Sequence, residues 1–301
     1  MDKEAIQESI MISIVIPVRN RGRYLENCLL SIINQSFKDW EVIVIDYGGD
    51  DNTKALCEMF EGYPIRYIYV PEKGIWNLPR ARNVGIKNAI GNLVACVDAD
   101  MILGLNVFEE LHKHFETHED NVLYQIQRIN INEDGTKTAM PEGTFLGDFQ
   151  CTTKDNFINV TGFDERLWGY GYEDLDVVIR LGRIGVRQHW LQGVETYHQW
   201  HPMSPGYETY INMIKSKLSW PSPTPGPFAD KDWGCATRKK ITFNFIIWRT
   251  IDKFAIALVI WPIKRFKKMI RNIKTWACVT SVEKKEKQKV LDEMNTVKCA
   301  I

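Results

Sequence analysis

The chain has 301 residues, 45% hydrophobic and 25% charged, with 38 basic and 38 acidic side chains. These are globular proportions, and they allow one large core or one domain with an appendage. Seven scattered cysteines without a C-x-x-C spacing exclude a disulfide framework and a zinc site and imply a reducing compartment.

The zero net charge hides a split. Residues 236–301 carry 16 Lys/Arg against 5 Asp/Glu, so an acidic body of residues 1–235 bears a basic extension. The polar residues 1–9 do not read as a signal peptide.

In chain order the first half alternates strand and helix patterns. Strands are expected at residues 12–17, 41–46, 65–70 and 93–97, and helices at 23–34, 52–60, 78–89 and 105–117. That order implies an α/β fold with a mostly parallel, Rossmann-like sheet flanked by helices. Three strands end in polar clusters: Pro17-Val18-Arg19-Asn20, Asp46-Tyr47-Gly48-Gly49-Asp50-Asp51 and Asp98-Ala99-Asp100. Ligands on such sheets bind beyond the strand carboxyl ends, so the three should meet in one crevice. Each cluster alone is also compatible with ordinary turn chemistry.

The absence of G-x-G-x-x-G after the first strand and of a P-loop excludes a dinucleotide dehydrogenase and a P-loop NTPase. Two carboxylates one residue apart at a strand end suit a hard divalent cation, Mn²⁺ or Mg²⁺, or else form a solvated acidic turn. A strand is expected at residues 122–131, a loop at 132–145 and a draping or lid segment at 204–227.

Further on, Gly162-Phe163-Asp164-Glu165 precedes Trp168-Gly169-Tyr170-Gly171-Tyr172-Glu173-Asp174-Leu175-Asp176. The glycines allow a tight loop, and residues 172–184 then continue as a helix with Glu173 and Asp174 in its first turn. The helix dipole alone would favour acids there. Aromatic rings beside carboxylates also suit a sugar.

With these pieces in order, the chain resembles the family 2 inverting glycosyltransferases of the GT-A fold. The resemblance rests on Ile14-Val15-Ile16-Pro17-Val18-Arg19-Asn20, Val44-Ile45-Asp46, Arg80-Ala81-Arg82-Asn83-Val84-Gly85, Asp98-Ala99-Asp100 and Gly162-Phe163-Asp164-Glu165. It spans about residues 11–201. The run from Gly169 to Asp174 is similar to the signature of β-1,4-galactosyltransferases and of GalNAc-transferring and chondroitin-polymerising enzymes.

The resemblance implies roles. Pro17, Arg19 and Asp46 would line the nucleoside pocket, and Arg82 and Asn83 would face the nucleotide. Asp98 would lie near ribose and metal, with Asp100 as metal ligand. Asp174 would be the catalytic base and Glu173 would contact acceptor or donor sugar. Tyr170 would stack on the acceptor, with Trp168 on the same side. His198 would complete the metal site, with His201 as the rival ligand. Two departures stand out. Tyr47 replaces the usual second acid after the second strand, and Leu175 interrupts the acidic run.

The expected activity is metal-dependent, inverting transfer of a sugar of the galactose, GalNAc or glucose class. The donor would be a UDP-sugar and the acceptor a saccharide or lipid-linked saccharide, in polysaccharide or glycolipid synthesis. A catalytically idle nucleotide-sugar-binding module and a sugar nucleotidyltransferase are the alternatives. Residues 241–274 read as an amphipathic, Trp-containing stretch with a polybasic flank, suited to an anionic membrane surface. The expected location is cytoplasmic, peripheral at the inner face of the membrane. No nucleic-acid-binding motif is present.

Overall fold

The computed structural model describes residues 12–117, 121–141, 147–169, 171–202 and 233–234. The expected lid at 204–227, Tyr170 and the whole extension 236–301 lie outside the described residues.

Nine strands form one sheet of order β3-β2-β1-β4-β8-β6-β9-β5, with β7 paired to β6. β1 (Ile12–Val18), β2 (Trp40–Tyr47), β3 (Ile65–Val70) and β4 (Leu93–Val97) are mutually parallel, as their alternation with helices requires. The second half is mixed. β8 (Phe149–Thr153) runs antiparallel to β4 and β6 (Val122–Ile131). β9 (Arg187–His198) runs parallel to β6 and antiparallel to β5 (Met101–Leu103). β7 (Lys137–Ala139) is an antiparallel hairpin partner of β6 inside the expected loop.

The core lies on both sheet faces because β1, β2 and β4 alternate buried apolar side chains. Ile14, Ile16, Val42 and Val44 pack with Leu25, Leu29 and Phe108 from α1 (Gly22–Ile33) and α4 (Val107–Thr117). Val15, Ile43, Ile45 and Val94 pack on the opposite face with Ala81, Val84 and Val177 from α3 (Leu78–Asn88) and α6 (Glu173–Arg183). Two short helices, α2 (Thr53–Met59) and α5 (Lys154–Asn159), complete the described elements. In α5 the Thr153 side chain caps the first turn by accepting from the Asn156 amide.

One consequence of the strand order positions the site. Four inter-strand spacings separate β4 from β5, about 19 Å in a flat sheet. Only Asp98, Ala99 and Asp100 join the two strands, and their four Cα steps reach at most about 14 Å. The sheet therefore curls, and the acidic triplet sits where it curls back.

No helix among the described residues is long and apolar enough to cross a membrane. The described cysteines, Cys28, Cys57, Cys96 and Cys151, are free and buried.

Candidate active site

The ends of β1 and β2 are stitched together. Asn20, at a positive φ of 56°, accepts from the Asp50 amide at 2.9 Å, and Asp51 accepts from the Gly22 amide at 2.9 Å. Asp46 is 3% exposed. Its carboxylate accepts from the Gly49 amide at 2.8 Å and from the Tyr67 hydroxyl at 2.7 Å. Gly48 has φ +70°, and a Cβ there would lie 2.1 Å from the Glu72 carbonyl, so only glycine fits.

Arg19 donates to the carbonyls of Gly74 and Lys73 at 2.8 and 2.9 Å and so holds the loop before α3. Pro17 is buried inside β1, in register with Ile45. Tyr47 is buried and meets Trp76 edge-on at 5.6 Å. Burial pushes its hydroxyl up to about 12, against the pull of the neighbouring Arg80 cation.

The triplet splits its two carboxylates between different partners. Asp98 turns to α3, where it accepts from Arg82 Nη2 at 2.8 Å. Asp100 turns to the far strand, with His201 Nε2 at 3.0 Å and His198 Nε2 at 3.8 Å. The β5–β9 pairing, which sets Met101 opposite His198, produces this meeting. Asp100, His198 and His201 each offer a ligand atom, all within 4.8 Å of one another. The structure thus brings both histidines to Asp100, while Asp98 is not part of this three-residue group.

One carboxylate and two imidazoles form a donor set for a divalent cation. Burial lowers the His198 pKa, against the Asp100 charge, and so favours the neutral imidazole that ligates metals. Burial and the Asp98 charge raise that of Asp100, while both histidines oppose the rise. The residues present fit such an ion.

Gln199, which no sequence motif singled out, fixes this corner. Its amide N–H donates to the Asp100 carbonyl at 2.9 Å, and its side chain bonds Asn27 and the Tyr24 carbonyl on α1 at 2.7 and 3.1 Å. Tyr24 packs edge-on against His201 at 5.8 Å.

The second half of the site begins at the loop before α6. Gly169, Gly171 and Tyr172 have φ of 79°, 92° and 79°. A left-handed Tyr is costly and marks a turn enforced by its surroundings. The Gly169 amide donates to the Trp76 carbonyl at 2.9 Å, so the half-buried Trp168 and this loop are moored to the segment before α3.

The turn delivers Glu173 and Asp174. Asp174 is half-buried and accepts from the Leu175 amide at 2.7 Å. Glu173 is 5% exposed, with Oε1 3.9 Å from Arg82 Nη1 and no hydrogen bond to Oε2. Burial, then the Asp174 charge, raises its carboxyl to about 8, opposed by Arg82.

Arg82, 1% exposed, therefore sits between Asp98 and Glu173 and also donates to the Gly147 carbonyl at 2.9 Å. Asn83, expected to face the nucleotide, is fully buried and points elsewhere. Its side chain donates to the Phe163 carbonyl at 2.8 Å and to Glu165 at 3.1 Å, and accepts from the Phe163 amide at 2.7 Å. Glu165 also accepts from the Gly234 amide at 2.7 Å. Successive residues of a helix point about 100° apart, so neighbours Arg82 and Asn83 cannot both face the crevice.

A second, partly buried ion pair is joined to Asp98. Arg128 on β6 donates to Asp148 at 2.9 Å, and Asp148 gives its carbonyl to the Asp98 amide at 3.1 Å. Burial raises the Asp148 carboxyl to about 6, against the pull of Arg128. No sequence motif marked either residue.

Residues 13–170 match the model of glycosyl transferase family 2. The chain belongs to that family.

Curated relatives agree. The chain is 32% identical over 117 residues to glycosyltransferase GlyG of Streptococcus pneumoniae serotype 4, covering 38% of each chain. It is 26% identical over 239 residues to validoxylamine A glucosyltransferase of Streptomyces hygroscopicus subsp. jinggangensis, covering 63% of this chain and 56% of the other. It spans only 16% of the length of glycosyltransferase GlyA from the same Streptococcus.

Among solved structures, S. aureus TarS in complex with UDP-GlcNAc superposes with a TM-score of 0.60 at 18% identity, over 69% of this chain and 66% of that one. GalNAc-T7 with UDP, GalNAc and Mn²⁺ gives 0.59 at 15% identity, over 70% and 48%. At these identities the likeness shows the GT-A fold shared by the family member and its neighbours.

Proposed function

We propose that this protein transfers a sugar from a UDP-sugar to a hydroxyl acceptor with inversion at the anomeric carbon. The observation that carries the reading is the arrangement around Arg82. Arg82 meets both Asp98, two residues before Asp100 of the Asp100/His198/His201 cluster, and Glu173, the neighbour of Asp174. This supports a reading in which the first acid belongs to a diphosphate leaving-group site and the second stands beside a base, as single-displacement transfer needs. The neighbours' bound UDP, UDP-GlcNAc and Mn²⁺ support the same donor and ion classes.

Asp100, His198 and His201 would hold the divalent cation, Mn²⁺ or Mg²⁺, which when bound offsets negative charge on a diphosphate as a Lewis acid. Asp98 has a side chain 32% exposed and offers its second oxygen to the donor while Arg82 holds the first. Asp174 takes the acceptor hydroxyl proton as that oxygen attacks the anomeric carbon opposite the departing UDP. Glu173, whose carboxyl pKa is raised by burial and the Asp174 charge, contacts the acceptor or donor sugar beside Asp174. Trp168 and Tyr170 contribute the aromatic faces of the acceptor side. Pro17, Arg19, Asp46 and Asn83 shape the pocket from behind through the strand ends and loops they hold.

The acceptor class is a saccharide or lipid-linked saccharide in polysaccharide or glycolipid synthesis. The donor sugar belongs to the galactose, GalNAc or glucose class. Residues 1–235 form the transferase domain, and the basic extension 236–301 anchors it to an anionic cytoplasmic membrane face through residues 241–274.

A screen of UDP-galactose, UDP-GalNAc, UDP-glucose and UDP-GlcNAc for UDP release, with and without Mn²⁺, tests the reaction. Metal-dependent release of UDP from one donor supports it, and no release from any of the four in the presence of saccharide acceptors removes it. Flotation with anionic vesicles tests the anchor, which fails if protein truncated at Cys235 still floats.

A further inference from the structure

The β6–β9 ladder is interrupted where the mechanism makes no use of it. Ile126 pairs with Leu191 and the next residue, Gln127, pairs with Glu195. Gln192, Gly193 and Val194 are thus extra residues on β9, looped out at Gly193 with φ 75°. A bulge re-aims side chains, and one of this size opens space beside the ladder. The space is a cavity of about 580 Å³, within the range of small-molecule sites.

Its lining has a definite chemistry. Trp190 and Tyr197 supply aromatic faces, and Asn106, Gln127, Gln192 and Glu195 supply planar amide and carboxylate groups. No Lys, Arg or His is among the lining residues, so phosphate and nucleotide ligands find no charged partner in the lining itself. Tyr197 is held in place. Its hydroxyl donates to Glu195 at 2.9 Å, and the Lys137 ammonium lies 4.6 Å from its ring centroid. Aromatic rings together with amides and an acid in one lining match the chemistry of a neutral sugar.

We propose that this cavity is a saccharide-binding site separate from the transfer centre, with Trp190 and Tyr197 stacking on a sugar ring and Gln127, Gln192 and Glu195 bonding its hydroxyls. The cavity lies on the strands that carry the cation cluster. Leu103 pairs with Thr196, and the Gly104 amide donates to the Glu195 carbonyl at 2.9 Å. From Asp100 to Gly104 the strand advances about 13 Å. Strand alternation puts Glu195 and Tyr197 on the face opposite Thr196 and His198, so the saccharide held here does not touch the reacting groups. Its role is to retain a saccharide-bearing acceptor or product between transfers. That role rests on the transferase reading, whereas the binding itself does not.

The test uses the full-length protein with EDTA and without UDP, so that no metal-held donor occupies the transfer centre. Maltotetraose, cellotetraose and chitotetraose are the probes, followed by saturation-transfer NMR and calorimetry. At least one tetrasaccharide is expected to bind. Trp190→Ala and Gln192→Ala are each expected to weaken that binding at least about tenfold. Asp100→Ala and Asp174→Asn leave it unchanged. Gln192 is exposed on the bulge, so its substitution reads binding without a folding cost. Absence of binding by all three probes overturns the proposal. So does binding that survives Gln192→Ala, or binding lost in Asp100→Ala or Asp174→Asn. UDP release from the donor screen fails or succeeds independently of all these outcomes.

Discussion

Arg82 Nη2 lies 2.8 Å from Asp98 Oδ1, with the guanidinium 1% exposed and the carboxylate side chain 32% exposed. The cation is thus a buried post, and the acid it holds is the one that reaches the crevice. The Glu173 carboxylate lies 3.9 Å from the same guanidinium. Removing Arg82 leaves two carboxylates without their shared partner. Arg82→Met is expected to destabilise the fold by about 3–5 kcal/mol, read as a shift in the urea midpoint. Arg82→Lys keeps the charge but loses the fork to Asp98 and the Gly147 carbonyl, and its loss should be smaller.

Glu173 gives the fold a pH dependence. Burial, with the Asp174 charge, raises its carboxyl from 4.5 to about 8. Between those values the folded chain keeps a proton that the unfolded chain has released. Its contribution therefore falls as pH rises from about 4.5 to about 8 and is constant outside that window. Glu173→Gln removes the term. The variant should match the parent in urea midpoint at pH 4 and exceed it at pH 9.

Asp174 is the proposed base, so Asp174→Asn should cut kcat about 10²–10⁴-fold while UDP affinity, read by calorimetry, stays within about twofold. Gly147 offers a second handle on the same group. A Cβ at Gly147 would lie 2.4 Å from the Asp174 Cβ. Gly147→Ala should displace Asp174 and lower kcat with UDP affinity retained.

Asp100→Ala, His198→Ala and His201→Ala should each weaken Mn²⁺-dependent UDP binding. All three ligand atoms lie within 4.8 Å of one another, so losses from both histidines are expected. Calorimetry with and without Mn²⁺ reads the difference. A His201→Ala protein with parental Mn²⁺ dependence would leave His198 as the sole histidine ligand beside Asp100.

Asn83 makes its three hydrogen bonds to the Gly162–Glu165 loop in full burial. Asn83→Ala should cost about 1–3 kcal/mol for each group left unpaired, with the loss appearing in thermal unfolding before it appears in UDP affinity.

The amino-acid sequence alone determined the parallel half of the fold. β1, β2 and β4 announce themselves as short apolar runs between helical patterns, because their side chains are buried on both faces and need no distant partner to be recognised, and the half-exposed edge strand β3 follows from its place between two helices. It also marked the carboxylates to which the proposed chemistry is assigned. Asp98, Asp100, Glu173 and Asp174 stand at a strand end and at a Gly-rich helix start, where backbone geometry already concentrates function. The tertiary structure decided how they are shared out. β5 is only three residues long, and β9 is polar, half-exposed and bulged, so neither has a periodicity to read. Yet their pairing is what brings His198 and His201 to Asp100, and the turn into α6 is what sets Glu173 against Arg82. Such meetings join residues about 90 to 100 positions apart. They follow from sheet curvature and burial, which no local window of sequence contains.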